Sequence, residues 1–351
     1  MTEAVSTREV YRNAWMTVRE DIIRRPDGSA GVYGVVDKPD FAIVVPYADG
    51  GFWLVEQFRY PVGRRAWEFP QGSWAAEKGG SQVDLARAEL QEETGLSVIL
   101  GAPLGTVEYV LPGGRDKIVH YWSAEINDHE LELARFTPND EIAALEWIPL
   151  DKARKKLTYS HDMAILDVFA KRLKKGNART FAVITVRHGK AVAPSAWDGP
   201  DSTRPLMHRG SDQAVAIAKG IAAFAPQRII SSTAARCLAT VDPLSRLLQL
   251  PVKATSTISQ DAYEAGEEQV AEVVAKRLKK QTSVVLCSHG PVIPEIISQL
   301  AVQTRTVADS TIRQSASLDT GDFTVVHVST QHPKRGIVAV ETHSPALAPA
   351  P

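Results

Sequence analysis

Residues 85–96, LARAELQEETGL, place Glu89, Glu92 and Glu93 within one and a quarter turns of a helix that stops at a glycine. At 100° per residue these carboxylates fall within about 100° of arc, because i, i+3 and i+4 are neighbours on a helix. Arg87 points to nearly the opposite side, so no basic residue shares their face. Such a face must either lie in water or hold a cation. A divalent ion with oxygen ligands from carboxylates, phosphates and water would resolve the repulsion, and Mg²⁺ is usually bound that way.

The 351 residues exceed what one hydrophobic core usually serves, so about two domains are expected. With 40 Lys and Arg against 41 Asp and Glu, no overall field draws the chain to nucleic acid or a membrane surface. Cys237 and Cys287 are too few for a disulfide framework, MTEAVSTREV lacks the apolar core of a signal peptide, and no apolar run approaches the roughly 20 residues that span a bilayer. The expectation is a cytoplasmic protein, with no nucleic-acid or membrane partner.

FAIVVPY and GFWLVEQFRY, separated by ADG, read as a hairpin, and residues 81–95 as a helix closed by Gly95. KIVHYWSAEI and ALEWIPL read as strands, with helices over about 150–157 and 160–173. The polar stretch KRLKKGNART, residues 171–180, reads as the linker. Beyond it, strands FAVITV, RII and SVVLCS alternate with helices at about 209–223, 233–247 and 264–279, which predicts an α/β layered domain with a largely parallel sheet. The expected division is a first domain over 1–173, a linker over 174–180, a second domain over 181–341, and a proline-rich, disordered tail over 342–351.

The acidic helix follows EFPQGSWAAEKGGSQVD, and the whole resembles the Nudix box: a glycine, a glutamate, then RExxEExG. The resemblance implies a mixed-sheet α/β/α domain in which Glu89, Glu92 and Glu93 hold catalytic metal. Gly72 opens the loop and Glu77 is the upstream acid of the metal set. The implied cofactor is Mg²⁺, with Mn²⁺ as a substitute, and the implied chemistry is hydrolysis of a nucleoside diphosphate linked to another group. Ala88 stands where the family has an arginine, and the loop between Gly72 and Glu89 is two residues longer than usual. Residues 8–100 resemble the ADP-ribose pyrophosphatase branch, whose members are often dimers through N-terminal strands. The remainder resembles bacterial MutT-type 8-oxo-dGTP hydrolases with a C-terminal histidine-phosphatase domain.

In the second half, VITVRHGK puts Arg187 and His188 at a strand end, where α/β folds place ligand sites. SSTAARC puts Arg236 near a helix start, and VVLCSHG puts His289 at another strand end. This ordered set resembles the histidine phosphatase superfamily, an α/β/α fold. A neutral imidazole can attack phosphorus, making His188 the nucleophile. Arg187 and Arg236 offer planar forks for the equatorial oxygens, and His289 completes the pocket. The leaving group needs a general acid, for which ISQDAYEAGEE offers Asp261 or Glu264. Arg204 and Arg209 read as surface or helix-start residues; Arg59, within QFRYPVG, reads as a surface arginine, with contact to substrate or to a partner subunit of an ADP-ribose-type dimer as the alternative. Trp67, Trp122 and Trp147 read as core, the two cysteines as buried structural thiols, and His161 and His208 as lacking any metal-ligand pattern.

The expected activity is Mg²⁺-dependent hydrolysis of nucleoside triphosphates of the 8-oxo-dGTP type, or of dinucleoside polyphosphates. Phosphate removal by the second domain would follow. ADP-ribose or nucleotide-sugar hydrolysis is the alternative, and a nucleotide-sensing module with a weakened Nudix site is the third reading.

Overall fold

The computed structural model describes residues 3–73, 81–96, 98–109, 117–126, 128–133 and 135–347. Strands β1 (Glu3–Arg12), β2 (Thr17–Arg24) and β3 (Ala30–Asp37) form an antiparallel meander. Every residue of β1 is exposed, and Ile22 and Val32, paired across β2 and β3, are exposed too.

The first domain continues with β4 (Phe41–Ala48), β5 (Gly51–Arg59), β6 (Arg64–Glu68), β7 (Gln71–Gly72), α1 (Gln82–Thr94), β8 (Ile99–Tyr109), β9 (Lys117–Glu125), α2 (Asp128–Leu133), β10 (Ile142–Pro149), α3 (Leu150–Lys156) and α4 (Ser160–Lys174). Its mixed sheet runs β10-β5-β4-β9-β8, with β6 on β5 and β7 on β4. The expected β4–β5 hairpin forms through Asp49 and Gly50, both at positive φ, as a tight hairpin turn requires. Trp147 departs from its expected core place. It lies on the edge strand β10, is 39% exposed, and covers Gly51 while its indole N–H donates to the Ala48 carbonyl at 3.0 Å.

The second domain comprises β11 (Thr180–Arg187), α5 (His208–Ala222), β12 (Arg228–Ser232), α6 (Ala235–Leu248), β13 (Val252–Thr255), α7 (Gln260–Ala265), α8 (Val270–Lys280), β14 (Val284–Ser288), α9 (Ile293–Thr304), α10 (Ser310–Ser315), β15 (Phe323–Ser329) and β16 (Ile337–His343). Its sheet order is β13-β12-β14-β11-β15-β16; the first four strands are parallel and the last two antiparallel. The largely parallel sheet read from the sequence is thus what forms.

Three boundaries differ from expectation. Helix α4 continues to Lys174, so most of the basic run KRLKK is its last turn, where cations suit the helix dipole. The helix expected over 264–279 is broken at Gly266, which takes φ +71 and caps α7. Strand β16 reaches His343, past the expected start of the tail, because it pairs antiparallel with β15 from Val328 opposite Ile337 to Phe323 opposite His343.

The two domains share a core. Val83, Ala86 and Leu90 of α1 belong to the same apolar cluster as Ile217, Ala218 and Ile221 of α5. Polar contacts reinforce it: the Leu100 N–H donates to the Ala223 carbonyl at 3.0 Å, and Arg179 pairs with Glu125 at 3.0 Å. Between the domains, Glu341, its side chain 10% exposed, accepts from the Trp122 indole at 2.9 Å, from His327 Nε2 at 2.6 Å and from His343 Nε2 at 2.9 Å. Trp122 is therefore core, as read from the sequence, and Trp67 is half-buried under Lys156.

Candidate functional site

Helix α1 is fixed at both ends. Ser81 and Asp84 form a reciprocal capping box, and Gly95 closes the helix in the left-handed conformation. Between these caps Glu89 and Glu93, one turn apart, face β7. Gly72 leaves room for the Glu89 carboxyl: an added Cβ would overlap it and force it to move. Glu93 is buried and accepts from the Gln71 N–H at 3.1 Å. Burial, with the neighbouring Glu89 and Glu68 carboxylates, raises its pKa well above the ordinary value despite that hydrogen bond.

Glu92 is exposed, since it lies toward the solvent side of the stripe that 89 and 93 define. Glu92 thus adds an exposed carboxylate next to Glu93. Among the described residues no three His, Cys, Asp or Glu side chains converge as a metal cage. Glu77 lies outside the described residues. What remains fits a cation held partly by substrate: a buried carboxyl whose burial outweighs its one backbone hydrogen bond, a second carboxyl beside it, and a glycine that leaves room for that second one.

Arg59 is not the surface residue its sequence context suggested. Its Nε and Nη2 donate to Glu68 at 2.9 and 2.7 Å, and Glu68 is fully buried. Desolvation raises Glu68 against the pull of Arg59. Asp162, buried at the start of α4, is pushed up to about 7, first by desolvation and then by Glu68. Arg59, Glu68, Gln71 and His161 line a cavity of about 270 Å³ with apolar walls from Phe41, Ile43 and Val119. His161, read as lacking a metal pattern, is thus a wall residue beside this cavity. Its pKa is lowered by burial.

The second site sits at the C-terminal ends of β11, β12 and β14. Arg187, His188, Arg236 and His289 come together as their order in the sequence implied. His188 Nδ1 donates to the Gly189 carbonyl at 2.8 Å, which leaves Nε2 to accept from Arg236 Nε at 3.3 Å. Its lone pair is therefore on Nε2, facing the arginine. Arg236 Nη2 donates to His289 Nδ1 at 3.1 Å, and His289 Nε2 donates to Ser232 Oγ at 2.9 Å. Desolvation, reinforced by the surrounding arginines, lowers His188 to about 4 and His289 to about 3, so both are neutral at pH 7. Arg187 holds the Leu318 carbonyl through Nη1 at 2.6 Å, while its buried Nε has no partner among the described residues. An orphaned guanidinium donor here is what an oxyanion would satisfy. Gly189 approaches Gly210 too closely for any side chain, which packs the nucleophile loop onto α5.

Asp261 and Glu264, the expected acids, are both exposed on α7, and the α7 residue that meets the site is Gln260, bonded to Arg236 at 3.5 Å. Arg204 and Asp201 were passed over in the sequence. Arg204, its side chain 11% exposed, donates to Asp201 at 2.7 Å, and its charge helps lower both histidines. Asp201 in turn accepts from Arg236 Nη2 at 2.8 Å. Their signal was the DSTRPL segment at 201–206, just beyond RHG, whose two charges are paired to one another and so look like ordinary surface. His208 is such a residue in fact, exposed and beside Asp212. Cys237 and Cys287 are free and fully buried, as expected, with Cys237 Sγ 3.5 Å from His289 Nε2.

Residues 3–36 match the nucleoside diphosphate sugar hydrolase N-terminal domain, 37–167 the NUDIX domain and 183–268 the histidine phosphatase superfamily (branch 1). Fold and sites together define a two-domain phosphohydrolase. An 8-oxo-(d)GTP phosphatase of Mycolicibacterium smegmatis is 33% identical over 231 residues, 66% of this chain and 68% of that protein. An ADP-ribose pyrophosphatase of Mycobacterium tuberculosis is 28% identical over 158 residues, 44% of this chain and 74% of that protein. A solved ADP compounds hydrolase aligns over 51% of this chain and 97% of its own at 15% identity, with a TM-score of 0.39. The chain belongs to the Nudix hydrolase family and carries a histidine phosphatase domain behind its Nudix domain. It is accordingly a hydrolase of small-molecule nucleotides, in a family that uses divalent metal ions. Among the described residues no helix is long and apolar enough to cross a membrane.

Proposed function

We propose that the Nudix domain hydrolyses 8-oxo-purine nucleoside triphosphates or dinucleoside polyphosphates with Mg²⁺. The histidine phosphatase domain then removes phosphate from a product or a separate monoester. The observation that carries this reading is the pair Glu89 and Glu93 against Gly72 in a chain whose 8-oxo-(d)GTP phosphatase relative aligns over 231 of its residues. Glu89, Glu92, Glu93 and Glu77 would hold Mg²⁺, or Mn²⁺ in its place, and the ion supplies Lewis-acid activation of water and neutralisation of phosphate charge. Gln71 orients Glu93 through its backbone N–H, and the Arg59–Glu68 pair fixes the cavity wall beside it.

In the second domain His188 Nε2 is the nucleophile. Arg187 and Arg236 carry the charge of the transferring phosphoryl group, with His289 kept neutral by burial and Arg236 and oriented by Ser232. We place the protein in the cytoplasm, in keeping with two free, buried thiols. We also infer a homodimer through the β1–β3 meander, whose Tyr11, Trp15, Ile22, Val32 and Tyr33 are exposed. Light scattering of the full chain reads its mass directly, and a monomer at micromolar concentration removes the inference.

A second reading, ADP-ribose or nucleotide-sugar hydrolysis, is favoured by the match of residues 3–36. Product chromatography decides between them, with 8-oxo-dGTP, diadenosine tetraphosphate and ADP-ribose offered separately with Mg²⁺ to wild type, Glu93→Gln and His188→Ala. Cleavage of the first two, lost only in Glu93→Gln, supports the proposal. Exclusive cleavage of ADP-ribose establishes the second reading, and tight binding without turnover a sensing role.

A further inference from the structure

We propose that Asp201 is the general acid of the phosphatase site. This inference rests on the phosphomonoesterase reading of the second domain. Asp201 lies in the 3-10 turn Asp201–Thr203, on the loop between β11 and α5. Among the described residues its carboxylate is the one bonded directly to Arg236: Oδ2 accepts from Nη2 at 2.8 Å, while its backbone carbonyl accepts from Nη1 at 2.7 Å. Asp261 and Glu264 have no such bond, and Gln260 stands between their helix and the arginine.

The guanidinium divides the site. Its Nε edge faces His188 Nε2 and its Nη2 edge faces the Asp201 carboxylate. A phosphoryl group bound along that planar fork therefore has the nucleophile at one end and a carboxyl at the other, which is the order in-line displacement requires. Arg204 holds Asp201 from the side through Nε at 2.7 Å and is itself tied to the Val192 carbonyl, so the turn is braced rather than loose.

The same contacts explain how the acid is loaded. Burial pulls the Asp201 carboxyl up, but Arg204 and Arg236 outweigh it and hold the free enzyme's carboxyl below its ordinary value. An incoming phosphate takes over the arginine donors and brings its own negative charge, both of which favour the protonated acid. His188 Nε2 then forms a bond to phosphorus as the ester P–O bond breaks, and the leaving oxygen takes the Asp201 proton. Water next attacks the phosphohistidine, gives its proton back to Asp201, and expels neutral His188. The sum is ester plus water to alcohol plus phosphate.

The test is a leaving-group series on the full chain, from p-nitrophenyl phosphate to alkyl phosphates, comparing wild type, Asp201→Asn, Asp201→Glu and the control Glu264→Gln. Asp201→Asn is expected to lose about 10²- to 10⁴-fold in kcat/KM on alkyl phosphates, the range general acids supply, and less than about fivefold on p-nitrophenyl phosphate. Asp201→Glu should recover part of the alkyl activity, and activity on p-nitrophenyl phosphate, retained in Asp201→Asn, reports that the variant is folded. An equal loss across the series, or none, overturns the assignment and leaves Asp201 as a positioning residue for Arg236. Loss of alkyl activity in Glu264→Gln overturns it as well. Failure of the underlying reading has a different signature: wild type without monoesterase activity, or activity that survives His188→Ala.

Discussion

Replacing Glu341 by glutamine tests whether the two domains are held by one buried charge. Its carboxylate, shared by Trp122 of the first domain and His327 and His343 of the second, falls from an ordinary 4.5 to about 2. Burial opposes that fall, and the hydrogen bonds from His327 and His343 exceed it. At about 1.4 kcal/mol per pH unit, the shift is worth about 3 kcal/mol to the folded state. Because the folded pKa is depressed, that stability is fully present above pH 4.5 and is lost as pH falls through about 2. Glu341→Gln keeps the shape but not the charge. It should therefore unfold about 3 kcal/mol more easily in urea at pH 7, with the gap to wild type closing below pH 4.5. Trp122 sits on the bond, so its fluorescence should report the same transition as circular dichroism. A gap under about 1 kcal/mol at pH 7, or one that does not shrink in acid, would refute the reasoning.

Gly72→Ala drives a methyl into the Glu89 carboxyl. Nudix turnover should fall at least tenfold while monoester hydrolysis is unchanged, read by separate assays on one preparation. Arg59→Ala strands the buried Glu68, and losing one partner of such a pair costs about 3–5 kcal/mol, measurable by denaturant unfolding. For the phosphatase site, His188 is neutral until pH falls to about 4. After allowance for the substrate's own ionisation, kcat/KM should hold to that pH and then drop; a drop beginning near 6.5 would show that burial does not tune this imidazole.

The chemistry was largely legible in the chain, since it depends on residue types at fixed local spacings. Glu89 and Glu93 are one helical turn apart whatever surrounds them, and Gly72 and Gly95 mark backbone positions where a side chain fails. Arg187, His188, Arg236 and His289 each follow or begin an element whose end could be read from periodicity. The alternation of strands and helices likewise required a largely parallel second sheet, because its strands are joined by crossovers.

Long-range placement was decided only by tertiary structure. Glu92 lies in water because β7 covers just part of the helical face, and the sequence cannot say how wide that cover is. Arg59 reads as surface until its guanidinium is found bonded to buried Glu68 of the neighbouring strand β6. Trp147 reads as core until its strand proves to be an edge. Asp201 and Arg204 neutralise each other, so nothing local distinguishes them from solvent-facing charges; only the fold brings them onto Arg236, 35 residues downstream of Asp201. Glu341 is the plainest case, since it accepts a hydrogen bond from an indole 219 residues away and its proton affinity is lowered by His327 and His343, which meet it only across the folded sheet. Spacing along a helix or strand is fixed by backbone geometry, whereas burial and charge pairing belong to surfaces that exist only once the chain has folded.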